Sequence, residues 1–149
     1  MTTDTTINAW KRWLAYSISK QANSPLADIS IQLRDSEETK TYPGIYIKEG
    51  SVNRIESGGI KDGNAWRIEV MTQLVTTPGD DDQAGTSKAT HDALRDAISP
   101  RVNDCNSEDW MSSQIGIVCF QVLTSSPVTT EEDGYRVTTW SNDIAVCLT

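Results

Sequence analysis

The chain has 149 residues, which suits one ordinary domain with a single core and leaves little room for a second. Its net charge of −8 and sequence pI near 4.5 argue against a protein that grips nucleic acid through its phosphates, because that affinity comes from Lys and Arg. An acidic surface stays compatible with a protein that lies beside nucleic acid without holding it. We therefore predict one domain over residues 1–149, without direct DNA readout.

Cysteine usage and hydropathy indicate the compartment in which the chain is expected to fold. Cys105, Cys119 and Cys147 are an odd count without C-x-x-C spacing, which disfavours both a disulfide framework and a zinc site. We interpret Cys119 and Cys147 as small buried hydrophobes in a reducing compartment. No apolar run approaches the roughly 20 residues that cross a bilayer, and the N-terminus lacks a secretion signal, so a soluble, unsecreted chain is expected.

The first half of the chain predicts a helix followed by short strands. Residues 6 to about 22 carry apolar side chains at three- and four-residue spacings, typical of a helix with one apolar stripe: Ile7, Trp10, Trp13, Leu14 and Ile18. Pro25 ends it. Alternation then predicts strands at residues 27–34, 42–48 and 51–57, the last two separated by Glu49-Gly50. Asp62-Gly63 predicts a hairpin turn into the next strand.

The middle of the chain carries the clearest signals. Residues 65–76 alternate Trp66, Ile68 and Val70 with polar neighbours, which predicts a strand. A second helix is predicted over residues 86–99, capped by Thr86 or Ser87, with an inner side of small and apolar residues: Thr90, Ala93, Leu94, Ala97 and Ile98. Pro100 is expected to stop it.

The last third predicts two more strands. A polar connection over residues 101–114 has room for a short turn of helix, and the apolar run 115–124 predicts a buried central strand. The final strand, 135–148, changes phase near Ser141-Asn142, which suggests a bulge there. Together the elements predict an α+β domain with an antiparallel or mixed sheet of about four to six strands and two main helices, in the order helix, strands, helix, two strands.

Catalytic and metal-binding patterns are weak. His91 is the only histidine, and its helical spacing from Leu94 favours a hydrogen-bonded residue at the edge of the apolar stripe over a general base. The run Asp80-Asp81-Asp82 lacks the later glutamate of a calcium loop, so we interpret it as a solvated turn that begins the second helix. The acidic clusters at residues 37–38 and 131–133 are interpreted as charged loops. No metal ion or cofactor is predicted.

Five tryptophans are many for this length, and aromatic side chains can mark partner surfaces. Trp10, Trp13 and Trp66 fall on apolar stripes, so core packing is expected for them. Trp110 and Trp140 fit no stripe. Either is a candidate for a contact between subunits.

Three stretches together resemble the tail terminator, or tail completion, family of tailed bacteriophages and its relatives among head–tail connector proteins. They are YPGIYIKEG at residues 42–50, AWRIEVMTQLVTTPGDDDQAGTSKATHDALRDAI at residues 65–98, and EEDGYRVTTWSNDIAVCLT at residues 131–149. The likeness covers most of the chain as a pattern of elements: a strand, a small polar break, an amphipathic helix containing His91 to Leu94, and a long closing strand.

The resemblance implies a structural virion protein without an active site. Such a subunit assembles in the host cytoplasm into a ring, commonly a hexamer, that caps the head-proximal end of the tail tube and meets the head–tail connector. The implied partners are further copies of the chain, the tail tube protein and the connector or neck protein, while DNA passes through the lumen without specific binding and no membrane is involved. We expect ring or tube contacts at loop residues and at the two unplaced tryptophans: Lys61, Asp62, Asp80, Asp81, Asp82, Trp110 and Trp140.

Alternatives remain open at the level of sequence. Within phage proteins, a head–tail connector or a minor tail protein fits equally well. A monomeric ligand-binding α+β module would also account for the tryptophans. A metal-dependent hydrolase or nuclease that uses the acidic clusters is disfavoured by the single histidine and the poor ligand spacing.

Overall fold

The computed structural model describes residues 3–20, 25–26, 28–37, 39–54, 65–77, 85–104, 106–115, 118–123 and 126–147. Its elements, in chain order, are α1 (Thr3–Ser19), β1 (Ser30–Leu33), β2 (Gly44–Arg54), β3 (Ala65–Thr76), α2 (Lys88–Val102), α3 (Asn106–Ile115), β4 (Val118–Leu123), β5 (Val128–Glu132) and β6 (Tyr135–Cys147). The α+β class and the order helix, strands, helix, strands are confirmed. Helix α3 is longer than the short turn expected there. The predicted turn at Asp62-Gly63 lies outside the described residues.

One mixed sheet joins the strands in the order β1-β2-β3-β6-β4, and β5 also pairs with β6. Strand β1 runs parallel to β2, and the other pairs are antiparallel. Because β3 occupies one side of β6 along its length, β4 and β5 follow one another along the other side. The apolar run predicted as a central strand therefore forms an edge strand, β4, which packs against α3. An apolar run predicts a strand, but it does not give the place of that strand in the sheet.

Helix α1 packs its apolar stripe as the spacing predicts. All five stripe residues are buried: Ile7, Trp10, Trp13, Leu14 and Ile18. The helix ends at Ser19, a few residues before the predicted end. Trp66 departs from the expectation of core packing, because it is 37% exposed near the start of β3.

Helix α2 does not stop at Pro100, and this prediction is wrong. The helix continues to Val102 with Pro100 inside it. Its last turn is held by tertiary contacts: the Arg101 guanidinium donates to the Ser17 carbonyl at 2.8 Å, and Asn142 Nδ2 donates to the Val102 carbonyl at 3.1 Å. These bonds and the burial of Val102 offset the backbone hydrogen bond that proline removes.

The buried side of α2 differs in part from the predicted side. Leu94 and Ile98 are buried as expected, and His91 and Arg101 join them, whereas Thr90 and Ala93 are exposed. At the N-terminus, Ser87 is the cap, since its side chain accepts a hydrogen bond from the backbone N–H of Thr90.

A bulge lies in β2 and not in β6. The pairing of β6 with β3 runs without a shift through Ser141 and Asn142, so the predicted bulge there is wrong. The register shifts instead between Glu49 and Val52, within what becomes one strand in place of two predicted ones. Gly50 sits at the shift, where a Cβ atom would clash with the Glu69 carboxylate. Glycine therefore admits the Glu69 side chain against the bulged backbone.

The acidic stretch before Gly134 is a hairpin and not a loop. Glu131 and Glu132 belong to β5, and a two-residue turn of Asp133 and Gly134 leads into β6. Both turn residues have positive φ, 51° and 83°, as the favoured tight hairpin turn requires. The interpretation of these glutamates as loop residues is wrong, because the turn chemistry lies in the last two residues of the stretch.

Helices α1 and α2 pack on one face of the sheet, which we call the helix face. Trp10 Nε1 donates to Thr72 Oγ1 at 2.9 Å, and Trp140 Nε1 donates to Ser99 Oγ at 3.1 Å. Alternation along β3 and β6 places Ile68, Val70, Leu74, Ile144 and Val146 on the same side, where all are buried. The main core thus lies between the helices and this face, and the opposite face, which we call the open face, carries a smaller cluster.

The bond between Trp10 and Thr72 ties α1 to the middle of the sheet. We predict that Trp10→Phe lowers the free energy of unfolding by about 2 kcal/mol, because it leaves a buried hydroxyl without its donor and removes packed indole surface. Urea denaturation followed by circular dichroism measures this. The matched control is Trp66→Phe, at the half-exposed tryptophan, which should change the value by less than about 1 kcal/mol. Equal effects of the two changes would contradict the assigned role of Trp10.

Candidate functional site

The open face carries a cleft lined by three tyrosines, which we call the tyrosine cleft. Its volume is about 230 Å³. The lining comes from the β1–β2 connection, the three central strands and the β5–β6 hairpin: Arg34, Lys40, Tyr42, Tyr46, Val75, Glu132, Asp133, Tyr135 and Val137. The pairing of β2, β3 and β6 brings these residues together although they lie far apart in the chain.

The floor of the cleft is rigid. Tyr46 is buried, and its hydroxyl donates to the Thr41 carbonyl at 2.7 Å and accepts from the Thr41 N–H at 2.9 Å. Val75 and Val137 are buried beside it. Tyr42 and Tyr135 lie above this floor with their ring centroids 4.7 Å apart. The result is a fixed apolar base beneath two accessible phenol rings.

The two sides of the cleft carry opposite charge. Arg34 and Lys40 come from the β1–β2 connection, while Glu132 and Asp133 come from the hairpin. Lys40 Nζ lies within 3.4 Å of three backbone carbonyls, which leaves it committed to holding its own loop. Arg34 donates to Gln73 Oε1 and forms no ion pair with a carboxylate of the described residues. Arg34 is therefore the cation of the cleft that can still meet an anionic group.

The phenols of the cleft suit recognition. Burial, and then a side-chain hydrogen bond with Tyr135, raises the pKa of Tyr42 above its usual 10.0. The phenol is thus neutral at physiological pH and offers a hydroxyl and a ring face. Aromatic rings next to arginine are the side chains that contribute most to protein interfaces.

His91 lies on the helix face, away from this cleft. It is fully buried and bridges two strands: Nδ1 lies 2.7 Å from Thr76 Oγ1, and Nε2 lies 2.7 Å from Thr138 Oγ1. Thr138 Oγ1 is in turn 2.7 Å from Thr129 Oγ1 in β5. Burial, followed by the positive charge of Arg136, lowers the pKa of His91 below 6.5. A neutral imidazole in this chain of hydroxyls ties α2 to the sheet, which confirms a hydrogen-bonded role.

The residues predicted as ring or tube contacts lie in different environments in the structure. Trp110 is half-buried on α3 and stacks on Tyr16 of α1, with ring centroids 5.3 Å apart. Trp140 is 1% exposed within the core, so a surface contact for it is wrong. In β6, the Trp140 side chain points toward α2, where its Nε1 donates to Ser99 Oγ. The sequence pattern around Trp140 does not predict this direction. The five predicted loop contacts lie outside the described residues: Lys61, Asp62, Asp80, Asp81 and Asp82.

Sequence reasoning missed the tyrosine cleft. Tyr42 and Tyr46 lie at one end of β2, and Tyr135 begins β6. These tyrosines come close together because β2 and β6 lie on the two sides of β3 in the sheet. The sequence feature that points to this cleft is the presence of tyrosines at the ends of predicted strands, together with an arginine at the end of β1. Alternation alone gives no strand order, so that signal could not be converted into a site.

The described part of the chain carries neither a cluster of metal ligands nor a helix that could span a membrane. There, no group of three or more His, Cys, Asp or Glu side chains is arranged to hold a metal ion. None of the described helices has the length and apolarity that a membrane span requires. No protein-family model matches the chain, and no curated protein matches it.

The lowered pKa of His91 has a consequence for stability. Between the folded-state pKa and 6.5, the unfolded chain takes up a proton that the folded chain does not, so acidification favours unfolding. We predict that the free energy of unfolding falls as pH drops below about 6.5, by at most about 1.4 kcal/mol per pH unit from this group. Denaturant titrations at pH 7.5, 6.5 and 5.5 measure the slope.

The matched variant is His91→Gln, which cannot titrate in this range. Its slope between pH 7.5 and 5.5 should be shallower than that of the original chain, whatever its absolute stability. NMR of the imidazole gives a second reading, because the ring should stay neutral at pH 6.5. Equal slopes, or an imidazole half-protonated above pH 6.5, would refute the account.

Proposed function

We propose that the chain is a structural subunit of a ring at the head–tail junction of a tailed bacteriophage, as a tail terminator. The observation that carries the proposal is the open face, a sheet surface with accessible aromatic side chains over a rigid floor. Tyr42 is 37% exposed and Val128 is 57% exposed on this side of the sheet. Such a surface suits a contact with another protein better than contact with water.

The architecture supports the same proposal. A strand leads into an amphipathic helix, and a long strand closes the described chain, as in the family that the sequence resembles. Cross-strand pairing fixes both faces of β3 and β6, so any surface they present is stiff. A ring subunit needs stiffness, because small angular errors in a repeated contact would prevent closure.

Charge agrees with a conduit for DNA. The net charge of −8 gives the chain little affinity for phosphates, so DNA would pass without being retained. In this proposal the ring acts in the virion, at the end of the tail tube that faces the connector. A connector or minor tail protein would use the same contacts at a different position in the particle.

A ligand-binding module is the second candidate. It is favoured by the tyrosine cleft and by a second groove of about 620 Å³ that shares Tyr42. The cleft itself is smaller than the range of about 300–1,000 Å³ common for small-molecule sites. A monomeric chain that binds a small ligand saturably, and that loses this binding in the Tyr42→Ala variant, would favour this candidate over the ring.

The ring proposal predicts self-association. Light scattering behind size exclusion should give a mass several times 16.4 kDa at micromolar concentration, and about six times for a hexamer. Negative-stain images should show closed rings with a central opening. Addition of purified tail tubes should place the rings at one tube end. A monomer at every concentration, with and without tubes, would contradict the proposed function.

A further inference from the structure

A second aromatic surface lies in the helix layer, on the other side of the sheet from the tyrosine cleft. We call it the helix patch: Tyr16 and Lys20 at the end of α1, Trp110 on α3, and the exposed Asp109, which precedes Trp110 in the chain. Tyr16 stacks on Trp110 with an interplanar angle of 24°, and Tyr16 is 37% exposed. Lys20 Nζ lies 4.3 Å from the centroid of the Tyr16 ring.

The helix patch is held from beneath. The buried ring of Trp13 lies 6.0 Å from Trp110, and Trp13 Nε1 donates to the Arg101 carbonyl at 3.3 Å. Because α1, α2 and α3 meet at this point, the two outer rings keep a fixed orientation. The helix patch therefore resembles the tyrosine cleft in kind: exposed aromatic rings over a buried aromatic or apolar base.

Each of the two surfaces carries both a cation and a carboxylate. The cleft offers Arg34 on one side and Glu132 and Asp133 on the other, and the helix patch offers Asp109 and Lys20. Asp109 is exposed, as are Arg34 and Lys20. Opposite charges placed around aromatic contacts set the orientation of two partners and exclude others.

We propose that the tyrosine cleft of one subunit binds the helix patch of a second copy of this chain, with Arg34 facing Asp109 and Lys20 facing the hairpin carboxylates. The inference rests on the proposed ring function and names its contact. The two surfaces are different parts of the molecule, so the contact between them is head to tail. Repetition of such a contact builds a ring if the rotation closes.

Two variants test this pairing by complementation. The cleft variant carries Arg34→Glu and Tyr42→Ser, and the patch variant carries Tyr16→Ser and Asp109→Asn. Each keeps one intact surface, so each alone should be monomeric, with association weakened at least tenfold. Their equimolar mixture should form a heterodimer and nothing larger, because only one productive contact remains. Analytical ultracentrifugation measures all three samples.

Controls separate misfolding from loss of contact. Arg67→Ser alters an exposed arginine in β3, whose only described ion pair is a 3.9 Å contact with Asp143, and should assemble as the original chain does. The circular dichroism spectra of all variants should match that of the original chain, and each variant should unfold in one cooperative transition. As a second measurement, the charge swap Arg34→Glu with Asp109→Arg in one chain should restore part of the association that Arg34→Glu alone removes.

The outcomes distinguish the inference from the proposed function. If both variants form rings normally, the proposed contact is wrong and the ring function still stands. The same conclusion holds if these ring-forming variants no longer bind tail tubes. Monomeric variants whose mixture stays monomeric would overturn it as well. An original chain that forms only open filaments, with complementation intact, would support the contact and contradict the ring. An original chain that never associates would overturn both.

Discussion

The structure depends on the hydrogen bonds of four large polar side chains that are buried where α1 and α2 meet each other and the sheet. Trp10, Trp13 and Trp140 each donate their indole N–H to a partner on another element, and His91 uses both ring nitrogens on strand hydroxyls. A buried polar group without a partner costs about 1–3 kcal/mol, so these bonds determine where the helices can lie. They do so more specifically than apolar burial, which has no direction.

These polar contacts also explain where local rules fail. Pro100 should end α2, yet the helix continues because Arg101 binds Ser17 and the Val102 carbonyl accepts from Asn142. The sequence contains no local sign of either partner, since both lie at least 40 residues away. Tertiary bonds of this kind override helix propensity wherever they outweigh the loss of one backbone hydrogen bond.

Periodicity was sufficient where one element buries one face. The α1 stripe and the limits of β3 follow directly from spacing, because three- and four-residue repeats and strict alternation have few competing explanations. It was insufficient where position in the sheet matters. The edge place of β4, the inward direction of Trp140 and the union of Tyr42 with Tyr135 all depend on strand order, which alternation does not encode.

With α1 and α2 held on one side, the other side of the sheet keeps accessible tyrosines, and the proposed ring uses this asymmetry. A contact in which these two different surfaces bind each other is head to tail, and its repetition builds a ring when the rotation closes. The most direct test is an electron cryo-microscopy map of the assembled chain. We expect Tyr42 and Tyr135 of each subunit to face α1 and α3 of the next. A map in which two open faces meet, or in which both surfaces face solvent, would contradict it.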